Sequence, residues 1–183
     1  MLLALVGVTG VGKSYYTNKI VEEFNFKKVN TIRTRAPRRG EKGLFMNKKE
    51  VEELEKQGKI AYKFDVFGGE YAYLKDDIFS KENMVFEMHY TTIDDWKKVR
   101  PDIKTIYIFP KDIEKAKKKT KDRKLSPDKE EKRLIEIQEQ YDRVSTDKDL
   151  QSKFDYVLYN NYDAKSKQKL MKIVKKIMED EKR

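Results

Sequence analysis

The sequence contains no cysteine. That excludes disulfides and thiolate metal sites, and it fits a reducing compartment, so a cytoplasmic protein is expected. No apolar run approaches the roughly 20 residues that a membrane span requires, and the N-terminus lacks the basic start and processing site of a signal peptide. Residues 1 to 8 read as a strand instead. Internal repeats and Pro/Gly/Ser-rich linkers are also missing, so nothing divides the 183 residues, and a single domain spanning 1–183 is expected.

What is present is charge. Charged residues make up 40% of the chain against 38% hydrophobic, and the formal net charge is +10. The apolar residues must therefore be concentrated in a few buried elements. An excess of positive charge favours an anionic partner, either a small phosphorylated ligand or a nucleic-acid or acidic membrane surface. Glu and Asp are interleaved with most of the basic residues, which reads those helices as solvated faces and argues against nucleic acid and membrane. Charge alone selects no function, and it specifies no oligomeric state.

Four short, nearly continuous apolar runs stand out: Leu2–Val8, Met84–Phe86 continuing to His89, Thr105–Phe109 and Tyr156–Tyr159. Helical stretches separate them, the pattern of strands buried on both faces of a parallel sheet. Asn47 with Glu50, followed by Gly58, brackets a short helix by a capping box and a C-terminal glycine. Ser126-Pro127 opens another, with Ser as N-cap and Pro at the first helical position. Leu134, Ile137, Tyr141 and Val144 form its apolar stripe, and Leu170, Ile173, Val174 and Ile177 form that of the C-terminal helix. Residues 31 to 82 differ, being rich in Arg, Gly and aromatics. There "FDVFGGEYAY" reads as a hairpin-like or looped β segment inserted at the strand ends, where open α/β sheets bind ligands.

Gly7-Val8-Thr9-Gly10-Val11-Gly12-Lys13-Ser14 satisfies G-x-x-x-x-G-K-[ST] between an apolar strand and a helix. The glycines allow a tight turn that brings backbone N–H groups around a phosphate, and the helix N-terminus adds partial positive charge. Lys13 then reaches the β- and γ-phosphates and Ser14 ligates Mg²⁺. ATP with Mg²⁺ is the implied ligand pair. A second feature is "TIRTRAPRRGE", in which Arg35 and Arg38 flank Pro37; two guanidinium forks can converge there on one anion. The same residues also fit a solvated basic loop.

Together these motifs resemble the guanylate kinases. In that family the P-loop is followed by a T-T-R-x-P-R-x-G-E segment that binds the phosphate of the nucleoside monophosphate. "RTRAPRRGE" is similar to it, with Arg35, Arg38 and Glu41 on the family's two arginines and glutamate. "DVFGGEYAY" puts Tyr71 on the phosphate-binding tyrosine, "MVFEMH" is similar to the strand ending in D-x-D, and "FDYVLYNN" puts Asn160 on a late asparagine. The resemblance covers nearly the whole chain. It implies a P-loop α/β fold: a parallel sheet flanked by helices (core 1–30, 83–116 and 136–183), an inserted nucleoside-monophosphate-binding subdomain (31–82) and a mobile lid (117–135). "KKKTKDRKLSPDKEEKRL" occupies the lid position, where Arg133 matches the lid-helix arginine and Arg123 is a looser match. The lysines at 117 to 121 are either lid cations or solvated charge.

The departures from the family gather in one place. The guanine-reading glutamate falls at Tyr62, its serine or threonine at Tyr73, and the second aspartate of D-x-D at His89, while Glu87 takes the place of the first. Thr31 belongs to the same acceptor-binding set. A tyrosine cannot accept guanine's hydrogen bonds as a carboxylate does, so Tyr62, Tyr73 and His89 stack on or shape another base, or Asp65 or Glu70 supplies a displaced carboxylate. His89 also fits a packing role. The implied activity is transfer of the γ-phosphoryl group of ATP to GMP, dGMP or a related nucleotide. The alternatives are another phosphorylated acceptor, such as a modified nucleotide or ribose 1,5-bisphosphate, and a non-catalytic interaction module.

Overall fold

The structure is a computed structural model that describes residues 1–37, 41, 43–66, 68–122 and 125–181, with the Val66 side chain left aside. Its centre is β1 (Leu2–Val6), whose five residues LLALV are all buried. A strand with no polar face must be covered on both sides, and this one is. On one edge it pairs with β7 (Met84–Met88) and on the other with β8 (Lys104–Pro110); β2 (Lys27–Lys28) lies beyond β7 and β9 (Tyr156–Asn160) beyond β8. All four pairings are parallel.

Strand alternation sends side chains into two cores. Leu3, Leu5, Val85, Ile106 and Ile108 pack on Tyr16 and Ile20 of α1 (Lys13–Phe24), Ala116 of α5 (Ile113–Lys121) and Leu170, Val174 and Ile177 of α8 (Ala164–Asp180). Leu2, Ala4, Val6, Phe86 and Tyr107 face the opposite way, against Trp96 of α4 (Ile93–Val99), Val144 of α6 (Pro127–Thr146) and Leu150 of α7 (Lys148–Ser152).

The inserted region forms a second sheet of four strands in the order β4 (Leu44–Phe45), β3 (Thr31–Arg33), β6 (Gly69–Leu74), β5 (Ile60–Val66). The expected hairpin is the antiparallel β5–β6 pair. One face of this sheet, with Ile32 and Ala72, closes over Val51 of α2 (Lys48–Lys56). The other carries two cross-strand rows, Thr31–Tyr73–Tyr62 and Arg33–Tyr71–Phe64, and its aromatics pack against the second core. The short α3 (Lys75–Ile78) links the sheet back to β7.

The helix-end signals were legible with one exception. Asn47 and Glu50 form the capping box, and α2 ends in a Schellman turn, with Gly58 N–H donating to the Glu55 carbonyl and Lys59 N–H to that of Leu54. Gly58 takes the left-handed conformation this requires, at φ +69°. Ser126 does stand at the N-cap of α6 with Pro127 after it, but its side chain makes no capping hydrogen bond. Beyond the four expected strands, β2, β3 and β4 went unread because two or three residues cannot display an alternation. The lid boundary expected at 117 falls inside α5, whose Thr120 is fully buried.

Candidate active site

The P-loop leaves the C-terminal end of β1 and enters α1 at Lys13. Val8 and Val11 are fully buried, so their side chains anchor the loop in the core. A Cβ on Gly7 would lie 2.5 Å from the Ile108 carbonyl oxygen, and one on Gly10, at φ +83°, would collide with the Ala116 carbonyl of α5. These two glycines let the loop wedge between β8 and α5. Gly12 differs: its φ is +95°, but a Cβ there would meet nothing nearer than 3.7 Å, so its need is conformational alone. No side chain caps α1, whose first-turn N–H groups and dipole suit an anion. Lys13 Nζ bridges the carbonyls of Gly7 and Val8 at 2.7 and 3.1 Å. Ser14 follows, exposed; a hydroxyl at the start of the helix that follows a P-loop fits Mg²⁺ ligation.

Asn160 fixes the loop from behind. At 1% exposure its amide donates to the Val11 carbonyl at 2.9 Å, while its oxygen accepts from the Tyr16 hydroxyl at 2.9 Å and the Tyr162 N–H at 2.7 Å. Tyr162 is held at φ 63°. Burial pushes the Tyr16 pKa up to about 12, so it stays a hydrogen-bond donor.

On the inserted sheet, Arg35 and Glu41 pair as a two-pronged fork, Nη1 and Nη2 reaching the carboxylate oxygens at 2.7 and 2.6 Å. Arg35 Nε donates to the Tyr71 hydroxyl at 3.1 Å. The Glu41 hydrogen bond, outweighing burial, raises the Arg35 pKa above its ordinary value. Arg33 joins them and was missed in the sequence. Its guanidinium lies over the rings of Phe45 and Tyr71 at 5.9 and 5.7 Å, with Nε 3.8 Å from Glu41 Oε1. Arg33 closes β3, and the chain bends at Thr34 and Arg35 immediately after it, so strand alternation in the sequence does not pair the two arginines.

The residues at the family's guanine-reading positions form an aromatic cluster. Tyr73 is 1% exposed, ringed by Phe64, Phe86 and Trp96 at centroid distances of 6.4, 5.5 and 4.9 Å. Burial raises its pKa, against the charge of nearby Arg33. Tyr62 is half-buried, stacks on Phe64 at 5.8 Å and donates to Asp95 Oδ2 at 3.2 Å; burial and that carboxylate push its pKa up to about 12. Asp65 and Glu70 pair with each other in the β5–β6 register, which puts them on the opposite face from Tyr62, Tyr71 and Tyr73.

His89 follows the end of β7, its Nδ1 2.7 Å from Thr91 Oγ1. Burial, then the charges of Lys13 and Arg133, lower its pKa to about 4, which keeps the ring neutral near pH 7. The two cations that act on it are Lys13 of the loop and Arg133 of α6. Arg133 is 14% exposed and paired with Glu136 at 2.8 Å. Glu87, the one exposed residue of β7, alternates onto the α1 side with Val85.

Neither protein-family models nor curated proteins match the sequence. Solved structures do match the architecture. A guanylate kinase from Anaplasma phagocytophilum aligns with a TM-score of 0.70 over 98% of this chain and 85% of that one, at 19% identity. A shikimate kinase from Acinetobacter baumannii, in complex with shikimate, aligns at 0.52 over 98% and 93%, with 14% identity. One from Bacteroides thetaiotaomicron gives 0.51 over 96% and 98%, with 11% identity.

The fold is that of a P-loop kinase.

Within this fold, the residues expected from the sequence fall into two groups. The loop 7–14 with Asn160, His89 and Arg133 is one; Arg35, Glu41 and Tyr71, joined by Arg33, is the other, and Thr31 stands in the next row of the same sheet face. Arg38 and Arg123 lie outside the described residues. Among the described residues, no helix is long and apolar enough to cross a membrane.

Proposed function

We propose that the protein is an ATP-dependent nucleoside-monophosphate kinase, transferring the γ-phosphoryl group of ATP to GMP, dGMP or a related nucleotide. The observation that carries the reading is the combination of a complete P-loop, with no side-chain cap on its helix, and a second cluster on the inserted sheet in which arginines grip a carboxylate. Two anion-handling clusters are what transfer between two phosphorylated substrates requires.

In this reading the backbone of residues 7 to 14 and Lys13 hold the donor, and Lys13 exchanges its bonds to the Gly7 and Val8 carbonyls for the phosphates. Mg²⁺ held through Ser14 would neutralise charge on the donor phosphates. Arg35, Arg38 and Tyr71 hold the acceptor's phosphate, whose oxygen is already a competent nucleophile, so no base is required. Arg133 and Arg123 move in with the lid segment, add positive charge to the transferring group and exclude water. Thr31, Tyr62, Glu87 and His89 shape the remainder of the acceptor site, and Tyr73 supports it from the core.

The test is a coupled ADP-release assay over ribo- and deoxynucleoside monophosphates. Turnover of one acceptor, abolished in Lys13→Ala with an unchanged circular dichroism spectrum, supports the reading. Wild-type protein that binds ATP but turns over none of the panel overturns it.

A further inference from the structure

Arg33 is absent from the acceptor set just described, yet the structure invests in it. Its guanidinium is mostly buried, with side-chain exposure of 21%, beside an Arg35 exposed by 13%. Two desolvated like charges side by side are unfavourable unless an anion lies between them. Glu41 is that anion: Arg35 grips it with both prongs, and Arg33 Nε stands 3.8 Å from the same Oε1. Three further features hold Arg33 there. Its Nη1 donates to the Thr31 carbonyl at 3.3 Å, its planar face covers Phe45 and Tyr71, and position 43 is a glycine whose Cβ would lie 2.5 Å from Nη1. In the β3–β6 register Arg33 stands opposite Tyr71, whose hydroxyl Arg35 contacts.

We propose that Arg33 is a second arm of the acceptor clamp: Arg33 and Arg35 together bind a phosphate monoester in its dianionic form, and the Glu41 carboxylate is the internal stand-in that the phosphate displaces. This rests on the proposed acceptor site. The trio carries one carboxylate against two guanidiniums, so replacing a monoanion by a dianion brings the pair to neutrality. The other titratable groups facing Arg33 are Tyr71 and Tyr73 of β6, and the charge of Glu87 on β7 is the weakest of the influences on Tyr73. His89 stays neutral above about pH 4.

The experiment measures binding by Trp96 emission, since the only tryptophan lies in the aromatic cluster beneath this face. GMP and guanosine are titrated into wild type, Arg33→Gln and Arg33→Lys at about pH 5.5 and about pH 7.5, on either side of a phosphate monoester's second pKa of about 6. Wild type is expected to bind GMP several-fold more tightly at the higher pH. Arg33→Gln should weaken GMP about 10-fold or more there and flatten the pH response, leaving guanosine and ATP unaffected. Arg33→Lys, which keeps the charge, should restore the pH response without the full affinity. Equal loss at both pH values, equal loss for guanosine, or a Gln variant that binds GMP as wild type does would overturn the proposal. Wild type that turns over a nucleotide in the ADP-release panel while Arg33→Gln keeps its acceptor KM would overturn it and leave the kinase reading standing. Wild type with neither GMP binding nor turnover overturns both.

Discussion

The side-chain amide of Asn160, at the last position of β9, donates to the carbonyl of Val11 in the P-loop at 2.9 Å. The loop's curvature is thus tied to the far side of the sheet, and the same residue's oxygen holds Tyr16 of α1. Asn160→Ala leaves a buried carbonyl and a buried hydroxyl without partners. It should lower stability by about 1–3 kcal/mol in urea unfolding, and it should raise the KM for ATP more than that for the acceptor.

Gly10 and Gly12 both take positive φ, but only Gly10 is pressed against backbone. Gly12→Ala carries conformational strain alone, expected at about 1–2 kcal/mol. Gly10→Ala adds displacement of α5 at the Ala116 carbonyl and should cost about 3 kcal/mol or more. Thermal unfolding of the two variants side by side reads the difference, and equal losses would show that the contact with α5 is soft.

His89 gives the fold a pH dependence whose sign follows from its depressed pKa. The folded ring takes up a proton only near pH 4, whereas the unfolded chain does so near the ordinary value of about 6.5. Between those values the unfolded state binds more protons, so stability is full above about pH 6.5 and falls as pH drops. From about pH 6.5 to about pH 5 the loss should be about 1.5 kcal/mol, read by urea titration at each pH. His89→Gln should remove that part of the slope.

The sequence displayed the P-loop, the parallel sheet and the helix caps because each has a local signature: a fixed glycine spacing, a continuous apolar run, a side chain three residues from its amide. It displayed Arg35 as one of an arginine pair around Pro37 that fits a solvated loop equally well, Glu41 and Tyr71 only through family resemblance, and Arg33 not at all, since one more arginine in an arginine-rich stretch has no meaning until β3 and β6 are in register. Tyr73 and Tyr62 show the same limit. Alternation in "FDVFGGEYAY" separates two faces but does not say which packs on the core, and it is Trp96 and Phe86, from distant elements, that enclose Tyr73. Likewise, Gly7 and Gly10 read as concessions to phosphate, while the structure shows them also yielding to the Ile108 and Ala116 carbonyls.

Arg133 offers a prediction with two independent readouts. It sits in the second turn of α6, mostly buried, held by Glu136 one turn on, and its charge is one of the causes that keep His89 deprotonated. If Arg133 supplies positive charge to the transferring phosphoryl group, Arg133→Gln should lower kcat by about 100-fold or more while changing both KM values little, because the interaction strengthens as charge develops on the equatorial oxygens. The same substitution should raise the His89 pKa from its value of about 4 toward the ordinary one, since a cation facing the ring has been removed while burial and Lys13 remain. His89 is the only histidine, so its ring proton resonances can be followed through a pH titration without assignment. A shifted pKa with unchanged kcat would place Arg133 beside the site but outside the reaction. A fall in kcat with the His89 pKa unmoved would mean that Arg133 acts on the transferring group without its charge reaching His89. Both changes together are the outcome expected of an arginine that faces His89, Lys13 and the transferring group at once.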